Sequence, residues 1–370
     1  MRPGPGLLPR LAFAGLVVVS MLAGIAGGLV RAGVSVPVAG AAVVAHAFLM
    51  ICAFMGTVIA IERAVAVKHP AAFVGPVASG LAGVAMLAGA PGVAAWLAAG
   101  AALAFVGVNL VVVGRQRVTH TMLLLTGAAA WAAGCLLYAL GVMPGAVVPL
   151  WFCFLVFTIA AERLEMTRLM RRHAGADPGL LAILASMACG AVLSGLLPDR
   201  GGVLYGLSLM ALAAWLAVFD IARRTVRAAG LSRYMALCLL AGYAWLFIAG
   251  LAWAGTSLGL PWRDAALHGL ALGFVFSMVL GHAPVILPAV ARVKVAFGWP
   301  FYLPLALLHA SLAVRLLGGL FAPRLTAAGA AGNALAIAAF VLTLAGAAIA
   351  WRAGLAPLHR NSRHDTPVEN

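Results

Sequence analysis

Four histidines lie inside long apolar runs: His46, His268, His282 and His309. An imidazole in such surroundings is costly unless a partner uses its nitrogens. Each therefore marks either an interhelical hydrogen bond or a functional group. His268 and His282 share the stretch from Trp262 to Val290, WRDAALHGLALGFVFSMVLGHAPVILPAV, fourteen residues apart. On an ideal α-helix they lie about 21 Å apart along the axis and within about 40° around it. His46 belongs to an earlier apolar run. It lies roughly eight residues from the outer end of that run, and His268 roughly five from the outer end of its own, which puts both in the outer third of a membrane. Two imidazoles at one depth on parallel helices are what a haem iron with two axial histidines requires, one ring to each face. Gly269 and Gly273 beside His268 would let a porphyrin approach the backbone. Arg315, Arg324, Arg31 and Arg263 supply cations at the same side for the propionates. Arg315 stands within an apolar run, where a guanidinium needs a partner. His282 lies deeper, beside Pro284, which frees a carbonyl near position 280. With His309, its nearest neighbour in depth, it could hold a second metal such as copper, relay protons or satisfy that distortion.

Other chemistry has little support. The sequence has no H-E-x-x-H, G-x-S-x-G or G-x-x-x-x-G-K-[ST] pattern. Its five cysteines all fall in apolar runs and form no C-x-x-C pair, as expected of small core residues. Glu62, Glu162 and Glu165 adjoin arginines at helix ends, where ion pairing is the ordinary role.

The elements that must position these side chains are membrane helices. Hydrophobic residues make up 65% of the 370-residue chain and charged residues only 9%, against about 25% charged in a soluble domain. The expected fold is all-α and polytopic. About twelve spans are expected, at 11–30, 38–61, 70–90, 92–113, 119–141, 146–162, 178–197, 202–222, 233–258, 263–290, 299–320 and 326–351. Residues 1–357 read as one transmembrane domain and 358–370 as a polar cytoplasmic tail. Pro and Gly mark the breaks, as at Ala90-Pro91-Gly92, Pro144-Gly145 and Pro198-Asp199-Arg200.

The net charge of +15 does not point to nucleic acid, because the basic residues sit in short loops between apolar runs. With the N-terminus inside, nineteen of the 24 Lys and Arg fall on the cytoplasmic side and four outside, with Arg315 inside a span. That asymmetry places both termini in the cytoplasm, as for a multi-pass protein of a bacterial inner membrane. A weak repeat joins span 2, ending Thr57-Val58-Ile59-Ala60-Ile61-Glu62-Arg63, to span 6, ending Phe157-Thr158-Ile159-Ala160-Ala161-Glu162-Arg163. The two run parallel. They suggest a pseudo-three-fold arrangement of four-helix units in which spans 2, 6 and 10 are equivalent; an inverted transporter repeat would need antiparallel partners.

With these residues in view, the chain resembles the main subunit of haem-copper oxidases, in which spans 2 and 10 supply the axial ligands of the low-spin haem. The closer likeness is to the NnrS family, haem-containing membrane proteins associated with the bacterial response to nitric oxide. His268-Gly269-Leu270-Ala271-Leu272-Gly273 with Met278 resembles that family's H-A-L-x-x-G-x-x-x-x-M segment, and His46-Ala47-Phe48-Leu49-Met50 resembles its other histidine segment. The resemblance implies a haem-copper-oxidase-like bundle with haem b on His46 and His268. It implies a redox, gas-sensing or nitric-oxide-related role, and a diatomic gas or an electron donor as partner. The departures are definite. Oxidases carry copper ligands in spans 6 and 7, where this chain has no histidine, and Ala283-Pro284 follows His282 where the closer family continues with Thr-Gly-Arg. Two alternatives remain: a secondary transporter with a polar site at midplane, and a non-catalytic membrane assembly subunit whose histidines only pack.

Overall fold

A computed structural model of the protein describes residues 7–167 and 175–354, with side chains from residue 12 onward. The tail at 358–370 and the basic residues Arg168, Arg171 and Arg172 lie outside the described residues. Within them the chain is helical, without strands, and twelve helices are long and apolar enough to cross a membrane. We number them α1 (Leu7–Arg31), α2 (Phe48–Val67), α3 (Pro70–Leu87), α4 (Pro91–Arg115), α5 (Thr119–Ala139), α6 (Pro144–Met166), α7 (Ala176–Leu193), α8 (Pro198–Phe219), α9 (Gly230–Ser257), α10 (Arg263–Val290), α11 (Trp299–Leu320) and α12 (Pro323–Arg352).

The helix starts follow from local chemistry. Pro91, Pro144 and Pro198 open α4, α6 and α8. Proline suits the first helical position, where its missing N–H has no intrahelical acceptor to lose. The sequence reading began these spans one to four residues late because it took each proline as part of the break. Gly141 and Gly259 follow the ends of α5 and α9 at φ of 79° and 89°, a left-handed cap that glycine adopts without steric cost.

Burial separates the helices into a centre and a rim. The share of residues buried inside the protein is 78% for α6 and 61% for both α2 and α10, but 17% for α1 and α12. The three central helices touch one another. Around them, α3 packs on α4, α4 on α5 and α5 on α6; α7, α8, α9 and α10 follow the same sequence; α11 packs on α12, α12 meets α1, and α1 packs on α2. Between α4, α5 and α6 the core is aromatic: Trp131 stacks on Phe154 at 4.8 Å and meets Phe105 edge-on.

Two of the central helices depart from α geometry. Phe48–Met55 in α2 and Gly269–Phe276 in α10 are π-helical, each eight residues long. Such stretches are rare and tend to occur at functional sites. The shared face expected of His268 and His282 assumed unbroken α geometry, which α10 does not keep. A π turn takes about 4.4 residues where an α turn takes about 3.6, so eight π residues fall behind an ideal α-helix by roughly 140°. The two histidines of α10 accordingly meet different neighbours.

Candidate functional site

A helical turn, Gly40–Val44, leads into α2, and His46 sits at the junction just ahead of the π segment. His268 likewise ends the first α turns of α10, immediately before its π segment. The two rings come together as their matched depth suggests. Their centroids are 6.0 Å apart and their planes are inclined by 25°.

The hydrogen bonds around this pair assign its protons. His46 Nδ1 donates to the carbonyl of Gly24 on α1 at 2.7 Å. His268 Nδ1 donates to Asp264 Oδ1 at 2.8 Å, one turn earlier on α10. Both acceptors hold the proton on Nδ1 and leave the lone pair on Nε2. This is the tautomer of a metal-ligating histidine, whose distal N–H is tied to a carbonyl or a carboxylate. Two imidazoles that grip one metal ion from opposite sides, each nitrogen at about 2.0 Å, hold their ring centres about 6 Å apart. The 6.0 Å between the two centroids matches that spacing, with the rings stacked at 25°. His46 Nε2 has no hydrogen-bond partner among the described residues.

Two further elements hold the rings in place. Glycines at 24, 27 and 28 let α1 lie close against the start of α2. A Cβ at Gly28 would stand 2.6 Å from His46 Cε1, so only glycine leaves room for the ring there. On the other side Arg315 of α11, buried to 8% exposure, forks onto Asp264. Its Nε donates to Oδ2 at 2.9 Å and its Nη2 to Oδ1 at 2.8 Å. The intramembrane arginine therefore has the partner it needs. Its Nη2 also stands 3.2 Å from both ring nitrogens of His268. Because Nδ1 carries the proton given to Asp264, the guanidinium can donate only to Nε2.

Other expected site residues lie elsewhere. Arg324 is exposed at the outer start of α12 and has no ion pair among the described residues. Arg31 reaches only the carbonyl of Val43, at 3.5 Å. Arg263 lines a separate outer vestibule of about 500 Å³, on the side of α10 that carries Ala266 and Leu267. Gly269 and Gly273 do not flank a porphyrin space: they admit Ala249 and Trp245 of α9, where a Cβ would collide.

His282 and His309 do not meet in a ring contact or hydrogen bond among the described residues. His282 Nδ1 donates to the carbonyl of Met278 at 2.7 Å, and its Nε2 lies 2.5 Å from Nη2 of Arg163 on α6. Both nitrogens are used, so no lone pair remains for a metal. The carbonyl it uses is not the one that Pro284 frees, two residues further on. His309 Nδ1 accepts from Trp245 Nε1 at 3.0 Å, which puts the ring proton on Nε2. That nitrogen is buried without a partner. No cluster of three or more potential metal-ligating side chains occurs among the described residues.

The repeated Glu-Arg pairs find each other at the C-terminal ends of α2 and α6. Arg63 of α2 reaches Glu162 of α6 at 3.3 Å and its own neighbour Glu62 at 3.8 Å. Arg163, the second arginine of the repeat, is the one bound to His282.

Sequence reasoning missed Asp264, Gly24 and Gly28. Asp264 had a signal, since an acid four residues before a histidine meets it on a helix. The glycines of α1 had none, because their partner is more than fifteen residues away on another helix.

The chain belongs to the DUF8744 family. That family's sequence model, described as a domain of unknown function, matches residues 10–349. The match spans nearly the whole bundle and includes every histidine and arginine of the outer site. No curated protein and no solved structure matches the chain.

Proposed function

We propose that this DUF8744 protein is a haem-b-binding integral membrane protein with His46 and His268 as the axial ligands. The observation that carries the reading is the pair of imidazoles 6.0 Å apart, each with Nδ1 committed to an acceptor. Haem would supply an iron able to change oxidation state or take a diatomic gas. The chain's own residues do the rest: Gly24 and Asp264 fix the tautomers, Gly28 admits the His46 ring, and Arg315 balances the carboxylate. Two histidines fill both axial positions, which favours electron transfer; a gas such as nitric oxide would bind only where one ring leaves. Copper at His282 and His309 is not part of this reading, because the nitrogens it needs are already engaged.

The packing order supports a haem-copper-oxidase-like bundle in the same reading. Three arcs of four helices end in α6, α10 and α2, and the Arg63–Glu162 and Arg163–His282 contacts link these three in turn. The proposed setting is a bacterial inner membrane with both termini inside, on the distribution of Lys and Arg.

A second reading has one specific support. Arg315 Nη2 at 3.2 Å from His268 Nε2 would satisfy that nitrogen without a metal, as in a purely structural polar network. A reduced-minus-oxidised spectrum of protein purified in mild detergent, after expression with ample haem, separates the two. Soret and α bands lost in both His46→Ala and His268→Ala support the haem site. A colourless wild-type protein whose His46→Ala variant is merely less stable supports the network.

A further inference from the structure

We propose that Asp264 is a positioning residue that sets the donor strength of His268, with Arg315 as its clamp. The proposal rests on the haem reading and concerns the regulation of that same site.

The two histidines are not equivalent. His46 gives its Nδ1 proton to a neutral backbone carbonyl. His268 gives its own to a carboxylate that is held at three points, by His268 Nδ1, Arg315 Nε and Arg315 Nη2, at 2.8 to 2.9 Å. A carboxylate on the distal N–H draws that proton away and makes Nε2 a stronger donor. A stronger donor favours the more highly charged iron, so Asp264 biases the site toward the ferric state.

An acid in the first turn of a helix has an ordinary explanation in the helix dipole, but three features exceed it. The carboxylate is turned onto the ring, with 42% of the side chain still exposed. A buried arginine from another helix grips it with a two-point fork, the geometry that fixes a carboxylate's orientation as well as its charge. Asp264 and His268 also occupy the last α-helical turn before the π segment, where the i, i+4 spacing brings them together. An earlier start to the π segment would separate them.

The arrangement also makes Arg315 a two-way group. Its Nη2 reaches the iron-facing nitrogen of His268, and its fork with Asp264 holds the guanidinium in place when that nitrogen is taken by a metal. Asp264 thereby keeps a buried cation paired in both conditions, as a guanidinium within a membrane requires.

The test uses the full chain in detergent. In Asp264→Asn the amide oxygen still accepts from Nδ1 but carries no charge. We expect haem to be retained with a tenfold shift of the ferric-to-ferrous affinity ratio toward ferrous, which raises the midpoint potential by about 59 mV. Asp264→Glu keeps the charge and should stay close to the wild-type potential, and the neutral Asp264→Ser takes over the test if the asparagine variant does not fold. An Asp264→Asn protein that binds haem with unchanged potential would overturn the proposal. Nitrogen-15 NMR of the metal-free protein supplies a readout independent of haem. His268 should carry its proton on Nδ1 in the wild type and lose that preference in Asp264→Leu, which has no side-chain acceptor. If the wild type takes up no haem, the haem reading fails while the NMR result still decides whether Asp264 orients the ring. A His268 tautomer unchanged by the substitution would end the proposal on its own.

Discussion

His268 and His282 lie on the same helix, fourteen residues apart, and the surroundings give them different partners. At one end, His268 has its Nδ1 proton fixed by Asp264, Arg315 Nη2 3.2 Å from its Nε2, and the His46 ring 6.0 Å away. At the other end, His282 has its Nδ1 proton fixed by Met278 and its Nε2 capped by the buried Arg163. Arginine cannot give up its proton in a protein, so the His282 imidazole is held as an acceptor. The His268 ring faces a second imidazole whose own Nε2 is free. The π segment Gly269–Phe276 lies between the two rings.

Substitutions at the two ends should therefore separate pigment from stability. His46→Ala and His268→Ala should abolish bound haem, read as the haem-to-protein ratio in a pyridine haemochromogen assay. His282→Ala should leave that ratio intact, and a parallel loss would erase the distinction between the ends. Gly28→Ala comes next. Its Cβ would press on the His46 ring, and since overpacking of this kind costs about 1–3 kcal/mol, haem affinity should fall on the order of tenfold or more. Unchanged affinity would mean that α1 does not position the ring.

His282→Ala should instead show in thermal unfolding. It strips a buried guanidinium of its one hydrogen-bonded side chain among the described residues, an interaction worth about 1.5–3 kcal/mol for a charged group. An unfolding midpoint equal to that of the wild type would show that Arg163 has another partner. The smallest effect is expected at Arg324→Gln. This exposed residue touches nothing at the site, so pigment should be unaltered and stability should change by less than about 0.5 kcal/mol. A loss of pigment there would restore it to the propionate role that its charge first suggested.

Much of this was legible in the sequence. Apolar runs and positive charge located the twelve helices, and α10 and α11 lie where the runs predict. Counting residues from the outer ends paired His46 with His268, because depth is a one-dimensional quantity that survives ignorance of the packing. The repeat Thr57–Arg63 and Thr158–Arg163 picked out α2 and α6, both of which prove central. Rotation about a helix axis is different. It depends on every turn being α, and an all-apolar run offers no polar stripe from which a π segment could be read. That is why His282 was drawn to His309 by depth, whereas its partner is Arg163, 119 residues away. Arg324 was assigned by charge and side of the membrane alone, neither of which says which way a rim helix faces. Asp264 was readable in principle, at four residues from His268, but its importance rests on Arg315 arriving from another helix.

The most direct test of the two-histidine site is electron paramagnetic resonance of the oxidised, haem-loaded protein. The account predicts a low-spin ferric signal of the bis-imidazole type that disappears in both His46→Ala and His268→Ala and persists in His282→Ala. A high-spin ferric signal in the wild type, or a low-spin signal that survives the loss of His46, would contradict it.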